Sequence, residues 1–361
     1  MSIGATILFY ILVFALCVLA AAWSDLSRRP YGLILAALIL SAIAGFRAYE
    51  VGVDTAPYLE SIFYQYETGM SDWQMTTFAD GYGQFTRWIL SMNANATFLL
   101  CVEALITNGL ITARLWDFKD DASMAYMIFV YVTTAYLQTL CLTCQYLAIA
   151  IVFYGTRLLE RKHPLPFIFI VILAMQLHSS AIVGFLFLII YIILERTYTP
   201  MGFALKISAF PLMVVIAILA FKKLTAAYSN YLGNESSVGF MVFVQLGIFI
   251  TMILATNIIQ VFHGRGGGVE MSANAKKYVV IVTLLGIIVS AASYIVPNAG
   301  RIALYFTLFS VVFYAMSIRG LRGGRVQAEL VSVGLSIWFV LYFIYVFVVH
   351  DSLGVMHYSF V

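Results

Sequence analysis

The chain has 361 residues, 63% of them hydrophobic and only 10% charged, with a formal net charge of +3 and a mean hydropathy of +0.96. Soluble domains carry about 25% charged residues, so this composition excludes a soluble enzyme and leaves an all-α, polytopic integral membrane protein. No nucleic-acid partner is expected.

A helix needs about 20 residues to cross a ~30 Å hydrocarbon core. On that ruler the sequence offers about twelve transmembrane helices: 3–23, 31–47, 96–116, 122–139, 140–158, 164–177, 179–195, 204–223, 239–262, 278–296, 301–318 and 327–349. The first run has no basic residues before it, and Arg28 and Arg29 follow it, which is the reverse of a secretory signal. It reads as a retained first span. The run 164–195 is too long for one crossing and holds His178-Ser179-Ser180 near its centre, so it reads as two short helices turning at His178. All twelve spans belong to one transmembrane domain covering 1–361.

Lysine and arginine set the orientation. With the N-terminus outside, 15 of the 20 basic residues fall in cytoplasmic loops. Only Arg47, Arg87, Lys222, Lys223 and Arg301 stay outside. The longest connection, about 48–95 between helices 2 and 3, is then an outer loop rich in acids: Asp54, Glu60, Glu67, Asp72 and Asp80. Asp54 and Thr55 with Pro57 behind them suit a helix start. The mixture of Tyr58, Leu59, Ile62, Phe63 and Tyr66 with polar residues predicts an amphipathic helix lying on the outer leaflet.

Cys17, Cys101, Cys141 and Cys144 lie in apolar segments and read as small, soft core residues. The Gly264–Gly268 stretch lacks the Lys-Ser or Lys-Thr of a phosphate-binding loop and reads as a flexible connection. There is no ATPase, flavin, nicotinamide or haem signature, and no cofactor is expected.

Ionisable residues in a bilayer cost about 2.5–3.5 kcal/mol each at the centre of a span, so each asks for a reason. Arg47 and Arg301 could be snorkelling anchors, Asp54 a helix cap, Glu103 an arginine partner, Gln145 a helix-to-helix hydrogen bond and His178 a turn cap. Taken together they suggest more. Arg47, Asp54, His178 and Arg301 all fall at outer helix ends, and Glu103 and Gln145 lean to the same side. Two arginines with a histidine and a carboxylate in one outward cavity suit bidentate recognition of a phosphate or pyrophosphate.

The spacing Arg47-x4-Gly52-x-Asp54-x3-Tyr58 resembles the first outer-loop signature of the EpsG-like, Wzy-type bacterial polysaccharide polymerases. Gln145-Tyr-Leu-Ala148, Leu177-His178-Ser179-Ser180 and Arg301-x3-Tyr305-Phe306 follow in that family's order. One departure stands out: Cys144 occupies a place where the family usually has arginine. The resemblance implies a glycosyltransferase of the bacterial inner membrane with its active site facing the periplasm. Its substrate would be an undecaprenyl-pyrophosphate-linked oligosaccharide, polymerised into O-antigen, capsule or exopolysaccharide. The catalytic set would be His178, Asp54, Arg47 and Arg301, with Tyr58, Glu103, Gln145 and Tyr305 binding substrate. Arg47 and Arg301 would grip one pyrophosphate, and His178, or else Asp54, would serve as base. No metal is expected, because two arginines can neutralise the phosphates. Besides the lipid bilayer, the partners would be a chain-length regulator and a flippase. A glycan ligase of the O-antigen type is the nearest rival reading, and a polysaccharide transporter or flippase is the rival from another class.

Overall fold

The structure is a computed structural model that describes residues 1–69, 80–195, 239–256, 273–293, 299–321 and 325–361. The expected span 204–223 and the glycine-rich stretch lie outside these residues. The described chain is helical, with two isolated β-bridges, Arg47 to Phe360 and Thr256 to Leu321. The helices are α1 (Ile3–Ser27), α2 (Tyr31–Gly45), α3 (Thr55–Thr68), α4 (Asp80–Met92), α5 (Ala96–Trp116), α6 (Met124–Cys141), α7 (Thr143–Gly155), α8 (Pro164–Leu177), α9 (Gly184–Glu195), α10 (Gly239–Ala255), α11 (Ala273–Ala292), α12 (Ala299–Arg319) and α13 (Arg325–Phe343). A 3₁₀ turn, Ser179–Val183, leads into α9, and a π-helical stretch, Ile344–Val349, prolongs α13.

Among the described residues six helices are long and apolar enough to cross a membrane: Ile3–Ser27, Ala96–Trp116, Met124–Cys141, Ala275–Ala292, Ala299–Arg319 and Val326–Val349. Tyr31–Gly45, Pro164–Leu177, Ser179–Leu194 and Met241–Ala255 are apolar but shorter. At 1.5 Å per residue, the 15 residues of α2 reach only about 22 Å. The protein is therefore an all-helical, multi-pass membrane protein in which long helices are mixed with helices that stop short. The long apolar runs break at Leu142, which leaves helical backbone at φ −96°, ψ 49°, and at the extended His178.

Helix packing in lipid depends on close approach. α1 and α2 meet where a Cβ on Gly32 would run into the Ala20 carbonyl. There Ser24 Oγ accepts the Leu33 N–H at 2.8 Å. Across the next interface Ser41 Oγ donates to Ala104 O at 3.0 Å. Asp25 accepts from the Met124 and Ala125 N–H groups at 2.8 and 3.0 Å. That anion suits the positive end of the α6 dipole. Arg28 with Asp120, Lys276 with Asp121, and Arg114 with Asp117 and Glu160 gather at this same end of the bundle.

At the opposite end the outer-loop helices fold inward. Leu59 and Ile62 of α3 are buried with Tyr82, Ile89 and Leu90 of α4, Leu99 and Leu100 of α5 and Leu147 of α7. The apolar stripe expected to lie on lipid packs against protein instead, because α4 and α5 offer it a matching face. Residues 350–361 run back across this end. Ala48 N–H donates to Ser359 O, Gly52 N–H to Gly354 O, Val53 N–H to Leu353 O and Val361 N–H to Phe46 O, at 2.8–3.1 Å. Tyr358 Oη donates to Ile43 O and Tyr10 Oη to Val355 O, and Asp351 accepts from the Val355 and Met356 N–H groups.

Candidate functional site

The loop after α2 is shaped residue by residue. Arg47 is 1% exposed. Its guanidinium donates to Ala44 O, to Val51 O at 3.4 Å and to Thr143 Oγ1 at 3.2 Å. It thus ties the end of α2, the loop and the start of α7 together. Gly52 turns the chain at φ +93°, where an added Cβ would lie 2.8 Å from Leu140 O. A left-handed backbone pressed against a carbonyl leaves room for glycine alone. Thr55 Oγ1 sits near Leu140 O as well, at 3.1 Å. Tyr58 then points inward, its ring 5.5 Å from that of Tyr82, and Tyr82 donates to the fully buried Glu103.

Between Gly52 and Tyr58, Asp54 faces the other way. Its side chain makes no cap hydrogen bond, contrary to the helix-cap expectation. It pairs with Arg301, Oδ2 to Nη2 at 3.6 Å, with the two side chains 46% and 50% exposed. Arg301 opens the first turn of α12, and its carbonyl accepts from Gln145 Nε2 at 2.8 Å. The Asp54–Arg301 pair stands at the rim of a cavity of about 630 Å³ bounded by α6, α10, α11, α12 and α13. Thr134, Gln138, Gln245, Ser290, Thr307 and Tyr342 give its wall polar groups among apolar ones, and His350 and Ser352 share its lining with the pair.

Tyr305 lies one turn below Arg301 on α12. Its hydroxyl is 2.9 Å from Ser180 Oγ, which is 2.7 Å from His178 Nδ1. The Ser180 backbone N–H, a fixed donor, also points at Nδ1, at 3.3 Å. Nδ1 is therefore the acceptor, and a neutral ring carries its proton on Nε2. Burial, with Arg301 nearby, lowers this imidazole to about 4, so it is neutral at physiological pH.

The sequence-derived candidates thus separate into layers. Asp54 and Arg301 meet at the cavity. Gln145 supports Arg301 from behind, and the His178–Ser180–Tyr305 chain flanks it. Arg47 is directed at two protein carbonyls and the Thr143 hydroxyl and does not line the cavity. Tyr58 and Glu103 belong to the buried layer beneath the loop. Cys144 is buried there too, its thiol 3.2 Å from Leu177 O. Two features escaped the sequence reading. One is the polar stripe of the cavity, which was signalled by Thr134 and Gln138 four residues apart in an apolar span. The other is the segment that carries His350.

Among the described residues no group of three or more His, Cys, Asp or Glu side chains could hold a metal ion. The model of the EpsG family matches residues 31–360. No curated protein matches the chain at a significant level, and neither does any solved structure.

Proposed function

The chain belongs to the EpsG family, and from that premise we propose that it is a periplasmic-side glycosyltransferase that polymerises undecaprenyl-pyrophosphate-linked oligosaccharide repeat units. The orientation follows from the bias of lysine and arginine toward the opposite end, and the membrane is the bacterial inner membrane, crossed about twelve times. The observation that carries the reading is the Asp54–Arg301 pair at the rim of a large, partly polar cavity.

The reaction joins an acceptor sugar hydroxyl to the anomeric carbon of a donor unit. The hydroxyl oxygen attacks that carbon, the bond from carbon to phosphate oxygen breaks, and lipid pyrophosphate leaves with the electron pair. The acceptor proton departs to a base. Charge develops on the leaving oxygens, and a preorganised donor aimed there is worth about 10²–10³ in rate. Arg301 is that donor. It is half exposed, and its backbone is held by Gln145. Asp54 holds the guanidinium in place before substrate arrives and yields it to the phosphates. His178 presents Nε2–H as a second, neutral donor, kept in that tautomer by Ser180 and Tyr305. Arg47 acts at one remove by fixing the loop that carries Asp54.

The test is direct. Purified protein given a synthetic lipid-pyrophosphate-linked repeat unit should yield a ladder of products with regular spacing. Transfer of a single block to a different acceptor, with no ladder, would identify a ligase instead. Movement of intact lipid-linked unit across a vesicle without new glycosidic bonds would identify a flippase.

A further inference from the structure

The layers around Arg301 leave the proton of the acceptor hydroxyl without a destination. His178 is a donor at Nε2, because its Nδ1 receives the Ser180 N–H. Asp54 stands beside Arg301, on the leaving-group side. A second histidine stands at the same rim. His350 follows the π-helical end of the last helix, where Tyr342, Tyr345 and Val346 line the cavity below it. The Tyr345 ring meets the exposed imidazole edge to face, with centroids 4.5 Å apart. The pairing of Val53 N–H with Leu353 O at 2.9 Å brings this segment against the loop one residue from Asp54. The charged and titratable side chains that line the cavity with it are Asp54, Cys141, Arg301, Tyr314, Tyr342 and Tyr345, and Asp351 follows it in the chain. The Asp351 carboxylate is occupied by the Val355 and Met356 N–H groups. Among the described residues neither ring nitrogen of His350 has a hydrogen-bond partner.

We propose that His350 is the catalytic base: its ring accepts the proton of the attacking sugar hydroxyl as the new glycosidic bond forms and lipid pyrophosphate leaves. The imidazolium then returns the proton to water, so the ring is unchanged after each turnover. This rests on the glycosyl-transfer reading above. Imidazole is the side chain suited to exchanging a proton near neutral pH. His350 lines the same cavity as Arg301, the cation that receives the leaving group.

The experiment compares wild type, His350→Gln and His350→Ala, each purified and supplied with the lipid-linked repeat unit. General-base catalysis contributes about 10²–10⁴ in rate. His350→Gln should therefore lose about 10²-fold or more in kcat, with KM within about threefold of wild type. The acidic limb of the pH–rate profile should vanish, and added imidazole should restore part of the activity of His350→Ala. Three results would overturn the proposal: a glutamine variant within threefold of wild-type kcat, a loss carried by KM, or an acidic limb that survives the substitution. Failure of wild type itself to make a ladder would bring down the glycosyl-transfer reading and this assignment with it. Ladders formed by wild type and the glutamine variant at rates within threefold of each other would remove His350 alone.

Discussion

Replacing Arg47 with lysine separates a residue that shapes the site from one that touches substrate. The guanidinium reaches three partners at once, Ala44 O, Val51 O and Thr143 Oγ1, in a setting only 1% exposed. An ammonium on a flexible stem can keep one of them, most simply the nearby Ala44 carbonyl. A hydrogen bond to a charged group contributes about 1.5–3 kcal/mol. The Val51 contact is long at 3.4 Å, so the two lost bonds sum to about 2–4 kcal/mol at the low end of that range. Arg301→Lys differs, because its ion pair is half exposed and such pairs contribute about 0–1 kcal/mol. Thermal unfolding in detergent should show Arg47→Lys clearly destabilised and Arg301→Lys nearly unchanged. The ladder assay, normalised to folded protein, should show the opposite: less than about tenfold loss for Arg47→Lys, and about 10²-fold or more for Arg301→Lys as a preorganised donor is removed. The double variant should be close to Arg301→Lys alone in rate per folded protein, since Arg47 acts through the loop that carries Asp54 and Asp54 acts on Arg301. A stable Arg47→Lys protein with a 10²-fold loss would refute this. It would restore the idea that both arginines grip one pyrophosphate.

Asp54→Asn should fold normally, because it leaves no cap unsatisfied, yet lose at least about tenfold in rate as Arg301 loses its guide. Wild-type activity together with normal expression would remove Asp54 from the site. Gly52→Ala forces a Cβ into φ +93° and toward Leu140 O. It should cost about 2–4 kcal/mol from left-handed backbone and overpacking, read as a lower unfolding temperature. EDTA should leave polymerisation intact, and a lasting loss restored by a divalent ion would show that a metal is needed. In a background freed of native cysteines, Ser352→Cys should react with an impermeant maleimide from the periplasmic side and Asp120→Cys should not. The reverse pattern would invert the orientation.

Much of the helical frame was legible because apolar run length is a local property. The breaks at Leu142 and His178 could be inferred since those runs exceed what one crossing needs. That Arg301 and Asp54 both fall at helix ends on one side was legible for a similar reason, although their pairing was not. Arg301 sits where the bias of basic residues says it should not, and Asp54 stands two residues after a glycine that bends the loop. What local pattern cannot encode is the direction in which a charged side chain finds its partners. Arg47 and Arg301 look alike in sequence, yet one is buried on two nearby carbonyls and the Thr143 hydroxyl and the other meets the Asp54 carboxylate at the cavity. His178 is another case. Its turn is written in the sequence, but its role as donor depends on the Ser180 N–H that the turn aims at Nδ1. The pairing of residues 350–361 with the loop after α2 spans some 300 positions. A polar segment after a span carries no periodicity that announces such a contact.

That pairing also bears on how the protein is made. Asp54 is made early in synthesis, and its loop then lacks the partner supplied by Leu353 and Gly354 until about 300 further residues have been translated. Arg301 and His350 also arrive late, so no working rim exists on a nascent chain. The proposed catalysis is in this way tied to completed assembly, because a ribosome-bound or prematurely released fragment lacks part of the rim. A stop codon placed just before Asp351 should leave a protein that inserts all its helices and yet makes no polymer. Supplying residues 351–361 as a separate peptide from the periplasmic side would be the means to switch it on.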